Sequence, residues 1–412
     1  MKRILFSWEM GVGLGHLAPL CSIADSYVAA GHHCCFAIPV PGSLERLRPN
    51  WANVPNVRVD PFPGWFPVNP VETPLGPSQG ILDALMISGF ENERVIEQHS
   101  QWWDALIRSF KPDLVVAEFA PGCTWMTRGS VPVVTIGNGY TVLPNCTPIP
   151  SLDFWKDAGI EGVPPSQACE SRMLSCINGS RRKHGFDQLE NIAAVFRGDW
   201  SFPCTFCSLD PYRSVRNEPV FAPWVQPVSG FECAITLDRW QASHSGPKGF
   251  VYYSIKNPLF RHMIEMVLRQ SEFPCVIYAP EYSELRKTKM KHDCHLILDR
   301  PMDLNALSQF AFCIHPGGLG LSAASAMARI PQLLTPISLE SLATAHALRQ
   351  QSAAIVGLPY QVETLAEPSH LIRIVRETIG LRMNLDLEFQ KVRVGQADTL
   401  SMIRTTIDSI VT

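Results

Sequence analysis

The amino-acid sequence predicts an α/β protein made of two Rossmann-like domains, and three observations carry that prediction. Short apolar runs alternate with segments of helical periodicity along the chain, which is the pattern of parallel sheets joined by helices. Two of those runs lead into glycine-rich turns that open a helix, GVGLGH near the start and HPGGLG late in the second half. The length, 412 residues, suits two domains of roughly 100 to 200 residues each better than one.

Taken in order, RILFSW is a short apolar strand and GVGLGH a glycine loop. Leu17, Leu20, Ala24 and Val28 then recur at helical spacing, with Gly31 placed to end the helix before a second strand. The adjacent Cys34 and Cys35 lie in that strand, HHCCFAIPV, where cysteine behaves as a small buried hydrophobe. The unit returns at ERVIEQHSQWWDALIRSF, a helix, followed by the strand PDLVVAEF, and again at VPVVTIGNG. From about Pro211 to Gly249 the periodicity fades and prolines gather, which marks a boundary. Beyond it GFVYYSI, PCVIYA, CHLILD and FAFCIH read as strands and HMIEMVLRQ as a helix. After the second glycine turn come a helix from Ser322 to Ala328, the strand PQLLTP, a helix from Leu342 to Gln351 and the strand AAIVGL. The division expected from this pass is 1–215, a linker over 216–248, and 249–412 ending in helices. No internal repeat is visible.

Composition narrows the function. Hydrophobic residues at 46% and charged residues at 18% give large cores and exclude disorder as the main state. A formal net charge of -3 leaves no basic excess for a phosphate backbone or an anionic bilayer, so nucleic acid is not an expected partner. No run reaches the roughly 18 apolar residues of a membrane-spanning helix, and Glu9 stands where a signal peptide is apolar. A cytoplasmic protein is expected. Its 13 cysteines, an odd count, are then expected to be free thiols. The pair Cys204 and Cys207 lacks a second pair at metal spacing, so no metal site is expected.

The first glycine cluster runs Gly11, Val12, Gly13, Leu14, Gly15, His16. A dinucleotide fingerprint wants glycine at its sixth position and an acidic residue closing the second strand. Here the sixth position is His16 and the strand ends FAIPVPG. What remains is a loop, Gly13 and Gly15 included, whose missing side chains admit another molecule, followed by an imidazole at a helix N-terminus. That position disfavours the imidazolium and leaves His16 able to accept a proton. Glu118 lies at the carboxyl end of the strand DLVVAE, and the ends of parallel strands gather at one edge, so it can face His16 and fix its tautomer. A merely capping His16 and a solvated Glu118 are the competing readings. In the second turn, His315, Pro316, Gly317, Gly318, Leu319 and Gly320 precede a small-residue helix, and amides exposed there suit a diphosphate. Close helix packing by the alanines is the alternative. Glu340 lies before a later helix, placed to accept hydrogen bonds from ligand hydroxyls, while Ser338 or Ser341 also reads as a helix N-cap.

With GLGHLAPL, LDPYR before a proline-rich segment and HPGGLGLSAASAMARIPQLLTPISLE in order, the chain resembles the bacterial-type, two-domain glycosyltransferases of the UDP-glycosyltransferase superfamily. The resemblance implies the GT-B fold, two Rossmann-like domains facing across a cleft, with a small, apolar acceptor held by the first and a nucleotide-diphosphate sugar by the second. It implies inverting, metal-independent transfer with no cofactor beyond the donor substrate, His16 as the base and Glu118 in the place of an orienting Asp. It also exposes departures. Pro316 stands where the family has a phosphate-binding His, His315 falls one residue early, Leu321 and Ala324 replace the hydroxyl and the ribose carboxylate, and Ser322 is the nearby hydroxyl. The family's acid and amide pair for the donor sugar maps onto Glu340 and Ser341. Lys256, after the first strand of the second half, is a substitute cation for the missing His. Two alternatives stand beside transfer: a non-catalytic sugar-nucleotide-binding or partner protein on this fold, and a nucleotide-sugar epimerase, which needs an acid and a base on both faces of one sugar.

Overall fold

The computed structural model describes residues 1–11, 13–65, 80–152, 167–223, 231–254, 258–270, 272–279, 294–298, 301–357, 368–385 and 388–411. The chain forms two compact units, Met1–Trp224 with Arg393–Thr412, and Val225–Val392.

The first unit holds a six-stranded parallel sheet of β1 (Arg3–Trp8), β2 (His33–Ile38), β3 (Val57–Pro61), β4 (Leu114–Glu118), β5 (Val133–Gly137) and β6 (Trp200–Pro203), in the order β3-β2-β1-β4-β5-β6. The second holds β7 (Gly249–Tyr252), β8 (Cys275–Tyr278), β9 (Leu296–Leu298), β10 (Phe312–His315), β11 (Gln332–Leu334) and β12 (Ala354–Val356), in the order β12-β11-β10-β7-β8-β9. Numbered within its own unit, each sheet is the doubly wound 3-2-1-4-5-6 arrangement. Its winding reverses between the first and fourth strands, and there an open α/β sheet leaves its ligand crevice.

Local sequence accounts for these elements. β1, β2 and β4 are continuous apolar runs because helices cover both faces of a parallel sheet, and Cys34 and Cys35 are buried within β2. The helix Leu14–Ala29 closes before Gly31, whose φ of 81° ends the turn. The helix Glu93–Phe110 begins where Asn92 accepts the amides of Arg94 and Val95, and it buries Ile96, His99, Ser100, Trp103, Leu106 and Phe110 at helical spacing. Strands β3 and β6 escaped the sequence reading. VRVDP is largely exposed, and WSFP is a four-residue edge strand beside a proline-rich stretch.

The described chain departs from the expected boundaries in two places. Within 216–248, read as linker, lies the helix Phe231–Ser243, whose Leu237 and Trp240 join a core of the second unit. The last helix, Glu388–Val411, was assigned to the second half, yet Arg393–Thr412 belong to the first unit. Ile403 and Ile407 are fully buried in the first core, at about 1.5–3 kcal/mol each. The Tyr27 hydroxyl donates to Asp408 Oδ1 at 2.8 Å, and Arg404 Nη2 donates to the Ser22 carbonyl at 2.7 Å. Among the described residues no helix is long and apolar enough to cross a membrane.

Candidate active site

At the reversal point of the first sheet, β1 and β4 are neighbours with Trp8 in register with Glu118. The chain leaves β1, turns through the glycines and enters the helix Leu14–Ala29, which brings His16, its third residue, back over the end of β4. His16 Nδ1 lies 2.9 Å from Glu118 Oε2, and both side chains are buried, at 7% and 3% exposure. An ionised carboxylate only accepts, so Nδ1 carries the proton and Nε2 is the basic nitrogen. Two residues 102 positions apart thus form the pair that the sequence predicted.

The surroundings hold the imidazole in place. Trp8 stacks on it with ring centroids 5.6 Å apart, and Phe119 lies tilted at 6.1 Å. Phe119, directly after Glu118, has a φ of 43°, a strained backbone for a bulky residue and one that clusters at functional sites. Gly11 is the glycine that matters most: at φ 87° it packs directly against the imidazole, and a Cβ there would collide with Nε2, so only glycine lets the ring sit where it does. Gly13 and Gly15 face open space instead, so they shape the loop without touching the imidazole. On the other side a Cβ on Gly137 would meet Thr141 Oγ1 and lie 3.3 Å from Glu118 Oε1, so that glycine lets the carboxylate settle.

Sequence reasoning missed Glu9. It noted this residue only as a break in an apolar N-terminus, yet the carboxylate is 3% exposed. It accepts hydrogen bonds from Gly122 N at 3.1 Å, Cys123 N at 2.6 Å and Trp65 Nε1 at 2.8 Å. Burial outweighs these hydrogen bonds and lifts its pKa from 4.5 to about 7. The readable signal was a charged residue directly following a strand otherwise made of core residues.

The second glycine turn stands at the equivalent point of the second sheet, where β10 adjoins β7. Gly317 has a φ of 89°, and a Cβ there would lie 3.1 Å from the Ser341 carbonyl, so these two donor candidates do meet. Gly318 is exposed and opens the helix Leu319–Met327, with open space where a side chain would point; Gly320 lies in its first turn. Three expectations change. His315 is fully buried: its Nε2 donates to Gln332 Oε1 at 2.9 Å and its Nδ1 accepts from Gly317 N at 3.1 Å. Burial holds it neutral, with a pKa near 4, so it braces the turn from within and does not reach a phosphate. Ser322 is likewise fully buried, with its hydroxyl directed inward and unpartnered, because the helix turns that face onto the sheet. Ser341 is committed to a capping box with Ser338, which accounts for its hydroxyl locally. Glu340 sits half-buried in the first turn of the helix Leu339–Gln350, at the carboxyl edge of the sheet. Lys256 lies outside the described residues.

No protein-family model matches the chain, and no curated protein does. Solved structures do. The calicheamicin glycosyltransferase CalG4 is similar at a TM-score of 0.62 and 15% identity, covering 100% of this chain and 98% of its own. The spinosyn rhamnosyltransferase SpnG complexed with spinosyn aglycone is similar at 0.59 and 16%, covering 100% of both. The glycosyltransferase SnogD from Streptomyces nogalater is similar at 0.57 and 15%, covering 100% and 99%. With two sheets of one winding order and full-length likeness of this kind, the chain has the GT-B fold.

Proposed function

We propose that the protein is an inverting glycosyltransferase that moves a sugar from a nucleotide-diphosphate sugar to a hydroxyl of a small, apolar acceptor. The observation that carries this reading is the buried 2.9 Å contact of His16 with Glu118 at the first switch point. The acceptor hydroxyl, placed there, loses its proton to Nε2 as its oxygen attacks the anomeric carbon. The bond from that carbon to the diphosphate oxygen breaks, the leaving group keeps the electron pair, and the anomeric configuration inverts. Glu118 balances the imidazolium that forms. Amides of the Gly317 to Gly320 turn receive the diphosphate charge in place of a metal, and Glu340 accepts from donor hydroxyls. The complex of SpnG with an aglycone supports the acceptor half of the reading. Every described cysteine is a free thiol, in keeping with work in the reducing cytoplasm.

One observation favours a second reading. With His315 and Ser322 turned into the protein, the donor turn keeps its backbone and loses its side-chain ligands, as a non-catalytic nucleotide-sugar-binding protein would. Purified protein incubated with UDP-, dTDP- and GDP-sugars and a panel of apolar alcohols and phenols, with and without EDTA, separates the two. Nucleoside diphosphate release and a product of inverted anomeric configuration, both abolished in His16→Ala, support transfer. Nucleotide-sugar binding by calorimetry with no product from any acceptor supports the second reading.

A further inference from the structure

Glu9 is not needed for the proton transfer just described, yet it is tied to everything that holds the transferring pair. Its own main chain and its side chain grip the same turn. Glu9 N and Met10 N donate to the Phe119 carbonyl at 3.4 and 3.1 Å, and the Glu9 carboxylate takes the amides of Gly122 and Cys123. That turn starts at Glu118 and contains the left-handed Phe119. On the other side, Trp8 directly precedes Glu9, stacks on His16 and donates from Nε1 to the Met10 carbonyl at 2.6 Å. The two rings packed against the imidazole, Trp8 and Phe119, therefore belong to segments that Glu9 fastens together. The fit is close: a Cβ on Gly122 would stand 2.9 and 3.0 Å from the two carboxylate oxygens.

We infer that Glu9 is a positioning residue, a buried carboxylate clamp that sets the geometry of the His16–Glu118 pair. Burying a carboxylate among apolar rings costs stability, and the hydrogen bonds it accepts, those of the Gly122 and Cys123 amides and the Trp65 indole among them, offset part of that cost. A residue serving packing alone would be apolar here. The titratable groups beside it are the Cys123 thiol on the helix Pro121–Thr127, pushed up by burial, and, one ring further out, His99 on the helix Glu93–Phe110, which stacks on the Trp65 ring that donates to Glu9.

The inference rests on His16 and Glu118 being the working pair, and its test reads their geometry without needing turnover. In protein carrying 15N-labelled histidine, the imidazole nitrogen shifts of His16 report its titration midpoint and tautomer. Glu9→Gln keeps the volume but sets an NH2 group against a donor, so the His16 midpoint should move by about half a pH unit or more. Glu9→Asp should recover part of that shift. If Glu9→Gln does not fold, Gly122→Ala, which pushes the carboxylate away with one methyl group, is read the same way. A His16 midpoint and tautomer unchanged in a folded variant, whatever its melting temperature, would overturn the clamp. A shifted His16 in a protein that transfers no sugar faults the proposed function and leaves the clamp standing.

Discussion

The two switch points of this protein are topologically equivalent and chemically opposite. Each joins a strand to a helix through glycines, and each places a histidine within or beside that turn. In the first unit the histidine is in the helix, three residues past Gly13, and it meets a carboxylate from the neighbouring strand. In the second it is the last residue of the strand, and it bonds inward to Gln332 and to the amide of Gly317. Displacement of one residue type from the helix to the strand end turns a carboxylate-paired imidazole into a brace for the turn. The lesson is that a histidine beside a glycine turn acquires its role from which of its nitrogens the protein itself consumes.

The largest effect that sharpens this contrast is His16→Ala, expected to lower transfer roughly 100- to 10,000-fold while nucleotide affinity stays near wild type, the melting temperature falling only because the buried Glu118 loses its partner. Steady-state kinetics and calorimetry check it, and turnover within threefold of wild type would end the base assignment. Gly318→Val comes next. Its side chain would enter open space, so folding should survive while nucleotide affinity drops about tenfold or more. A variant that loses stability with affinity intact would make the turn a packing device only. Glu118→Gln should cost less than His16→Ala, since the imidazole remains and only its charge partner is neutralised. His315→Ala should act in the reverse manner to His16→Ala. Leaving Gln332 and the Gly317 amide without their partner in a core cavity should cost roughly 2–4 kcal/mol in urea unfolding.

A pH dependence sharpens the comparison further, and its two halves have opposite sign. Glu9 has its folded pKa raised to about 7, so its stabilising contribution is fully present below 4.5 and is lost as pH rises through 7. The stability of wild type relative to Glu9→Gln should therefore fall by about 3 kcal/mol between pH 4 and pH 8. His315 has its folded pKa depressed to about 4, so its contribution is present above 6.5 and is lost as pH falls through 4. Denaturant unfolding of each variant against wild type at pH 4, 6 and 8 reads both slopes. Parallel slopes would show that one of the two groups is not buried in the state described.

Much of this was legible because it is local. β1, β4, β5 and β10 are apolar runs, the helix Glu93–Phe110 was read to its residue limits, and each glycine turn sits between a strand and a helix. His16 and Glu118 could be paired from sequence because the ends of parallel strands gather at one edge, a rule needing no coordinates. The short, half-exposed β3 and the edge strand β6 carry no apolar signal, and the amphipathic last helix does not announce which sheet it covers.

By itself, the sequence determined the class of fold, the two switch points and the pair at the first of them, since these follow from periodicity and from the order of strands. Only the tertiary structure decided what each polar group near those points does. His315, Ser322 and Ser341 carry the right chemistry at the right place in the chain, and they are spent on the protein's own hydrogen bonds or turned into its core. Glu9 reads as an interruption in an apolar run and becomes the carboxylate that fastens β1 to the turn after β4. Hydrogen-bond partners depend on direction and on groups more than a hundred residues away, and periodicity along a chain records neither.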